Sequence, residues 1–178
     1  MLLERAKSLL LLVDMQERLV PAMADAVDVT QRCGALLRAA YELGVPILAS
    51  EQYPKGLGAT LPGLAELATR RMEKLEFSAY ANPAIRGELK RAGQSQLVLA
   101  GVEAHVCVLQ TGLELVDAGY QVFVVADAVA SRRPESREVA LHRIARAGAT
   151  LITVEMALFE WLRSASAPEF RSISKLIR

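Results

Sequence analysis

Between Gln96 and Gln110 the sequence reads Gln-Leu-Val-Leu-Ala-Gly-Val-Glu-Ala-His-Val-Cys-Val-Leu-Gln. The apolar run at 97–100 is typical of a buried parallel strand, and Gly101 interrupts it. An amphipathic helix should follow, because apolar residues recur at helical spacing until Gly119, which is placed to cap its C-terminus. This segment therefore predicts a strand that turns directly into a helix.

Cys107 lies in the first turn of this predicted helix. It is one step out of phase with the apolar stripe of the helix, which consists of Val106, Leu109, Leu113 and Val116. We expect free backbone N–H groups and the positive end of the helix dipole to lower the pKa of the thiol and to favour the thiolate. The position also follows a strand end, where open α/β sheets form their sites. Cys107 is therefore a candidate nucleophile.

Apolar runs alternate with helix-period segments along the rest of the chain. Strands without internal alternation, separated by helices, indicate a parallel sheet that is covered on both faces. We predict an α/β fold in a single domain over 1–178, a Rossmann-like three-layer α/β/α sandwich with a six-stranded parallel sheet. The predicted strands are 9–13, 45–49, 71–75, 97–100, 121–126 and 150–153, the helices include 29–43, 83–92 and 135–147, and 50–70 is irregular.

Composition and charge narrow the class of protein. A chain of 178 residues with 52% hydrophobic content can bury a full core. Its 21 Lys and Arg against 20 Asp and Glu give no attraction to nucleic acid. The apolar run at 9–13 is too short to span a bilayer and lacks a signal-peptide cleavage pattern. Two cysteines fit a reducing compartment. We expect a cytoplasmic protein that binds a small molecule, and neither nucleic acid nor membrane.

The other cysteine and the two histidines are interpreted as structural. Cys33 shares the apolar stripe of the first predicted helix, so it should be a packing residue. His105 is a poor general base for Cys107, because positions i and i+2 point roughly 200° apart on a helix, unless the helix begins after it. His142 should be a surface residue. Two isolated histidines without ligand spacing argue against a metal, and we expect no cofactor.

Three charged residues lie at predicted strand ends. Asp14 ends the first strand, where an aspartate is commonly a cap or turn residue. Lys74 lies between apolar residues, and its ammonium either extends to solvent or is buried beside a thiolate and a carboxylate. Asp127 ends the fifth strand, and we favour a structural role for it, as a cap or as the partner of Arg132.

Taken together, these motifs resemble the isochorismatase-like cysteine hydrolases, a superfamily that includes nicotinamidases, N-carbamoylsarcosine amidases and isochorismatases. The resemblance depends on Asp14 at a strand end, on Lys74 ahead of Phe-Ser-Ala-Tyr, and on a Gly-Val-Glu-x-x-x-Cys motif that opens a helix. It extends from about Leu9 to Met156. Segments 50–58 and 125–132 look most like the isochorismatase domain-containing proteins, a subgroup without a generally established substrate.

The resemblance implies a catalytic triad of Asp14, Lys74 and Cys107. Asp14 would take the thiol proton and later give it to the leaving group, while Lys74 would stabilise the thiolate and keep the carboxylate ionised. Cys107 would attack an sp² carbon and form a thioester that water hydrolyses. The resemblance also implies a cis peptide at Val102–Glu103, with the backbone N–H groups of Glu103 and Cys107 as an oxyanion hole.

Two sequence differences from the related enzymes limit the class of substrate. Nicotinamidases place an aspartate and histidines near the second strand to bind a metal, whereas this chain has Ser-Glu-Gln-Tyr at 50–53. Siderophore-type isochorismatases lack the cysteine, so the presence of Cys107 favours an amide or a related carbonyl. We predict a small-molecule amidase with these pocket residues: Tyr53, Phe77 and Tyr80 as lining, and Gln16 to orient the substrate.

Two other functions stay open. The first is a non-enzymatic protein that binds a partner and keeps Cys107 as a redox-sensing thiol. The second is a cysteine-independent hydrolase of the isochorismatase type. We also expect a homo-oligomer, because members of this superfamily commonly form one and the apolar segment 156–162 could pack on a neighbour or cover its own sheet edge.

Overall fold

The computed structural model describes residues 1–177. In this part of the chain, six strands form one parallel sheet in the order β3-β2-β1-β4-β5-β6. This order is that of a Rossmann-type sheet, so the predicted fold class is confirmed. The strands are β1 Ser8–Val13, β2 Ile47–Gln52, β3 Arg70–Lys74, β4 Gln96–Val102, β5 Gln121–Ala130 and β6 Thr150–Ile152.

Helices connect the strands and cover both faces of the sheet. No helix in residues 1–177 is long and apolar enough to cross a membrane. The α-helices are α1 Ala26–Glu42, α2 Pro54–Leu57, α3 Pro62–Ala65, α4 Pro83–Ala92, α5 Leu109–Asp117, α6 Pro134–Arg146, α7 Val154–Leu162 and α8 Phe170–Ile173, with 3₁₀ turns at Arg5–Lys7, Val20–Ala22 and Ser174–Ile177 and a π-helical turn at Ala104–Val108.

Most predicted elements are present with bounds shifted by up to three residues, and two predictions differ more. The stretch 50–70, predicted to be irregular, contains the end of β2, both short helices α2 and α3, and the first residue of β3. Strand β5 runs four residues past its predicted end at Ala126, because after an irregularity in the ladder its last residues pair with Gly101 and Val102 of β4. A pairing between distant strands is invisible to local periodicity.

The sheet separates two apolar clusters. Helices α1 and α7 pack on one face, and α4, α5 and α6 pack on the other. Strand β1 is buried throughout, with Leu10 and Leu12 facing the first cluster, and Leu9, Leu11 and Val13 facing the second. Burial on both sides explains why this strand is continuously apolar.

Neighbouring strands β1 and β4 mark the point where the strand order reverses. From β1 the chain continues to β2 and β3 on one side, and from β4 it continues to β5 and β6 on the other. At such a point the C-terminal strand ends border a crevice. Gly101 has φ +114°, and a Cβ there would lie 2.1 Å from the Val13 carbonyl oxygen. Only glycine lets the two strands approach so closely at this crevice.

Candidate active site

Asp14 leaves the end of β1 in a left-handed conformation. Its φ is +50°, a region that aspartate enters more readily than most residues, and the side chain is fully buried. The backbone N–H of Asp14 donates to the Ser50 carbonyl (3.1 Å), and its own carbonyl accepts from the Gln16 N–H (2.8 Å). This turn holds the carboxylate at the crevice, where β2 and β3 supply its partners.

The Lys74 ammonium is surrounded by oxygen acceptors. Its Nζ donates to Asp14 Oδ2 at 2.7 Å and to Gln52 Oε1 at 2.6 Å. The backbone carbonyls of Phe77 (3.2 Å) and Glu76 (3.3 Å) complete its surroundings. The side chains of Lys74 and Asp14 are both fully buried. The alternative in which Lys74 extends to solvent is therefore wrong, because its charge is compensated inside the protein.

Sequence reasoning missed two polar residues of β2. Ser50 Oγ donates to Asp14 Oδ1 at 2.7 Å, and Gln52 accepts from Lys74. Residues two apart on a strand point to the same face, and Ser50 lies opposite Val13 of β1. The sequence signal that could have identified them is a pair of polar residues at alternate positions. The pair lies at the end of β2, the strand next to β1, which Asp14 follows.

Cys107 lies in the π-helical turn that leads into α5. The Glu103 carbonyl accepts from the N–H groups of Val106 (3.1 Å) and Val108 (3.2 Å), and the second of these bonds spans the five residues of a π turn. The extra residue changes the phase of the turn, so Cys107 is 5% exposed and belongs to the second apolar cluster. The expectation that it lies off the apolar face is corrected.

The environment of Cys107 raises the pKa of its thiol to about 12. Burial is the largest cause, the negative charge of Asp14 adds to it, and the positive charge of Lys74 acts in the opposite direction. The expectation of a resting thiolate is therefore wrong, because the loss of hydration and the charge of Asp14 outweigh the charge of Lys74. At neutral pH the thiol carries its proton, and the buried carboxylate beside it is an acceptor for that proton.

Cys33 is a packing residue, as predicted. It is fully buried in α1, on the other face of the sheet from Cys107. Its Sγ donates to the Ala128 carbonyl at 3.4 Å, and burial raises its pKa. Such a thiol is inert as a nucleophile.

The two histidines lie away from the carboxylate and the ammonium. His105 Nδ1 is 2.9 Å from Ser131 Oγ, and the ring borders a separate cavity of about 370 Å³ against α6. His142 is exposed. Within residues 1–177 no three His, Cys, Asp or Glu side chains cluster closely enough to hold a metal ion.

Asp127 has the predicted capping role but a different ionic partner. Its Oδ1 accepts from the N–H of Val154 at the start of α7 (2.8 Å), and its Oδ2 lies 3.8 Å from Arg32. The predicted pairing with Arg132 is wrong. Arg132 instead donates twice to Glu103, at 2.8 and 3.1 Å. This bidentate pair fixes the side chain at the start of the turn that carries Cys107.

Glu103 and Cys107, the two predicted backbone donors, lie on the same turn after β4. The peptide bond between Val102 and Glu103 is cis. Glu103 has an extended backbone conformation, with φ −84° and ψ 137°, and directly precedes the π-helical turn.

A cavity of about 380 Å³ opens beside Lys74, and Tyr53 lines it, whereas Asp14 and Cys107 do not. Gln16 has a different place: it is fully buried, and its Nε2 donates to the carbonyls of Gln52 (3.0 Å) and Gly58 (2.7 Å). Its Oε1 accepts from the Gln52 N–H at 2.7 Å. The predicted role of Gln16 in orienting a substrate is therefore corrected, because its amide is committed to the backbone after β2.

The other two predicted pocket residues do not line this cavity, and their role in a substrate pocket stays a prediction. Phe77 contributes its carbonyl to Lys74, while its side chain is half exposed. Tyr80 packs edge to face against Tyr120, at 6.1 Å between ring centres, and Arg86 lies over its ring. Tyr80 also packs against the apolar cluster that contains Cys107. Sequence reasoning missed most of the cavity wall, which consists of Pro54, Lys55, Glu73, Leu75, Glu76 and Asn82 beside Tyr53 and Lys74.

Residues 8–156 match the Isochorismatase domain family. Isochorismatase domain-containing protein 2A of Mus musculus is 41% identical over 172 residues, which cover 96% of this chain and 82% of that protein. Among solved structures, the MAR1 ribonuclease from Caenorhabditis elegans superposes with a TM-score of 0.93 at 34% identity, covering 99% of this chain and 92% of that one.

Two structures of the protein YcaC are similar over comparable lengths. YcaC from Escherichia coli is described as an octameric hydrolase of unknown specificity, with a TM-score of 0.93, 26% identity, and 99% and 89% coverage of the two chains. YcaC from Pseudomonas aeruginosa was solved with hexane-2,5-diol and covalent acrylamide, with a TM-score of 0.93, 27% identity, and 98% and 91% coverage.

Proposed function

This chain belongs to the isochorismatase family, and on that premise we propose that it is a single-domain cysteine hydrolase that cleaves a small-molecule amide or a related C–N bond. The observation that carries the proposal is the buried ion pair of Asp14 and Lys74, 2.7 Å apart, whose charges both act on the thiol of Cys107. Asp14 follows β1, Lys74 ends β3 and Cys107 lies in the turn after β4. Packing alone does not require a carboxylate, an ammonium and a thiol to be buried together, so their burial together favours a catalytic role.

The first step forms a tetrahedral intermediate, which becomes a thioester when the C–N bond breaks in the second step. Cys107 Sγ attacks the amide carbon, the carbonyl π electrons move to the oxygen, and the thiol proton passes to Asp14. Because the pKa of the thiol is about 12, this proton transfer accompanies the attack. Lys74 keeps a positive charge beside both groups throughout. The backbone N–H groups of Glu103 and Cys107 are the proposed donors to the developing oxyanion.

The second step releases the products. As the carbonyl re-forms, the C–N bond breaks, and Asp14 returns its proton to the departing nitrogen. A water molecule then attacks the thioester, with Asp14 taking one of its protons. The C–S bond breaks and the thiol is regenerated beside the carboxylate. The products are a carboxylic acid and an amine or ammonia, and no cofactor takes part.

The cavity beside Lys74 supports a small substrate. Its volume of about 380 Å³ lies near the lower end of the range for small-molecule sites. Its wall includes Lys74 but neither Asp14 nor Cys107, so we propose that it holds the part of the substrate that does not react. Tyr53, about half exposed on the wall, offers an aromatic surface to the part of the substrate that does not react. The P. aeruginosa relative with covalent acrylamide supports a reactive nucleophile on this fold, since acrylamide is an electrophile for thiols. Because the E. coli relative is octameric, we propose that this chain also forms a homo-oligomer. We propose the cytoplasm as the compartment of this protein.

A screen of primary and N-substituted amides, read by release of ammonia or amine, tests the proposal. We expect turnover in the native chain, an acyl mass increment on Cys107 after rapid quenching, and a loss of about a thousandfold or more in Cys107→Ala. Cys33→Ala is the matched control and should keep its activity. Full activity in Cys107→Ala would instead support a cysteine-independent hydrolase. Amide turnover in neither protein, with reversible oxidation of Cys107, would support the redox-sensing alternative.

The name of the C. elegans relative makes RNA cleavage the competing candidate. The near balance of 21 basic and 20 acidic residues does not favour a polyanionic substrate. Single-stranded RNA should therefore be included in the same screen at several salt concentrations. RNA cleavage that disappears in Cys107→Ala while all amides stay intact would replace amide hydrolysis as the function of the site.

A further inference from the structure

The Asp14 carboxylate is bound at both of its oxygens. Lys74 donates to Oδ2 and Ser50 Oγ donates to Oδ1, each at 2.7 Å. The ion pair between Lys74 and Asp14 is part of the triad that the family resemblance implies. The serine bond comes from a neighbouring strand to which the proposed chemistry gives no role.

Ser50 is tied to Asp14 through its backbone as well as its side chain. The Ser50 carbonyl accepts from the Asp14 N–H at 3.1 Å, while its hydroxyl donates to the carboxylate of the same residue. Two bonds between the same two residues restrict both the turn after β1 and the rotation of the carboxylate. Ser50 is fully buried on the face of β2 that also carries Leu48 of the second apolar cluster. A hydroxyl in such surroundings is costly unless it is hydrogen bonded.

We propose that Ser50 is a positioning residue that holds the Asp14 carboxylate in one orientation and in its ionised form, ready to accept the proton of Cys107. A hydroxyl that donates to a carboxylate oxygen stabilises the charged form relative to the neutral acid. The titratable groups that face Asp14 are Lys74 from β3 and Cys107 from the turn before α5. Replacing Ser50 leaves both in place, so the contribution of the hydroxyl can be isolated. The role in proton transfer rests on the proposed function.

The test follows the ¹³C resonance of the Asp14 carboxyl with pH, assigned through Asp14→Asn. In Ser50→Ala we expect the midpoint of this titration to move up by about 1 to 2 pH units, as expected for one lost hydrogen bond to a charged group. Ser50→Thr keeps a hydroxyl and should titrate close to the native protein. Ser8→Ala is the matched control, because Ser8 is equally buried at the opposite end of the sheet, and it should leave the midpoint unchanged.

An unchanged midpoint in folded Ser50→Ala would overturn the proposal. If Ser50→Ala does not fold, Ser50→Cys, with a weaker donor of similar size, should give a smaller upward shift, and no shift there would overturn it equally. Once a substrate is known, the acid limb of the pH–rate profile should move with the midpoint, whereas a merely structural role would lower the rate equally at every pH. A shifted midpoint in a protein that hydrolyses no amide would refute the proposed function while leaving the assignment of Ser50 intact.

Discussion

The two cysteines of this protein occupy similar surroundings on opposite faces of the sheet. Both are buried in an apolar cluster, burial raises the pKa of both thiols, and in each case a nearby aspartate raises it further. For Cys33 this aspartate is Asp127, which caps α7. For Cys107 it is Asp14, which is buried in contact with Lys74. The main difference is that Lys74 is fully buried and lowers the pKa of Cys107, whereas the cation near Asp127 is the partly exposed Arg32, 3.8 Å away.

This difference shows what separates a packing thiol from a candidate nucleophile. A lowered resting pKa does not distinguish Cys107, since its thiol is protonated at neutral pH. Its environment instead places a proton acceptor beside the thiol and a fixed positive charge beside the acceptor. In the proposed mechanism the thiolate then needs to form only during attack on the substrate, when Asp14 takes its proton.

Asp14→Asn should have the largest effect on activity. It removes the proposed proton acceptor beside Cys107 and leaves the surroundings of Cys33 unchanged. Amide hydrolysis should fall by about a thousandfold or more. Alkylation of Cys107 by iodoacetamide should become faster at a given alkaline pH, since the negative charge that raises the pKa of the thiol is gone. Site-resolved mass spectrometry measures both cysteines in one sample. Slower alkylation of Cys107 in a folded Asp14→Asn protein would contradict the assigned electrostatics.

Lys74→Met should make the Cys107 site resemble the Cys33 site, with an aspartate and no lysine. The pKa of Cys107 should rise further, because Lys74 is the charge that lowers it. The free energy of unfolding should fall by about 3 to 5 kcal/mol, the usual cost of leaving one partner of a buried ion pair uncompensated. Urea denaturation measures this loss. Exposed Lys90, at the end of α4, provides the control Lys90→Met, which should change stability by less than about 0.5 kcal/mol.

The smallest expected effect is a difference in alkylation rate between the two thiols of the native protein. The alkylation rate of Cys107 should keep rising with pH above about 8.5, where the rate of a free thiol levels off, because burial and the charge of Asp14 raise its pKa. Cys33 should stay unmodified at every pH at which the protein is folded, because its pKa is raised further and its side chain is fully buried. Rapid alkylation of Cys107 at pH 7 would show that the resting site holds a thiolate after all.

The fold could be predicted because each element carries its own signal. Strand β1 is apolar at every position after Ser8, which follows from its burial on both faces, and helix α4 has the bounds predicted from Pro83 and Gly93. Asp14, Lys74 and Cys107 could be proposed together because each lies at or after the end of a strand with a recognisable motif, and their catalytic role stays a prediction. Gln16 was misplaced, because the direction of a loop side chain depends on distant partners, such as the Gln52 backbone.

The local sequence pattern was therefore sufficient to predict the parallel sheet and the edge of the sheet where the crevice lies. It was also sufficient to propose which residues could be catalytic. Continuous apolar runs demand burial on both faces, and parallel strands bring their C-terminal ends to one edge. The tertiary structure alone decided the protonation state of Cys107 and the partners of Asp14. Both depend on excluded water and on charges that meet from positions 14, 50, 74 and 107, and electrostatic interaction follows distance in space rather than distance along the chain.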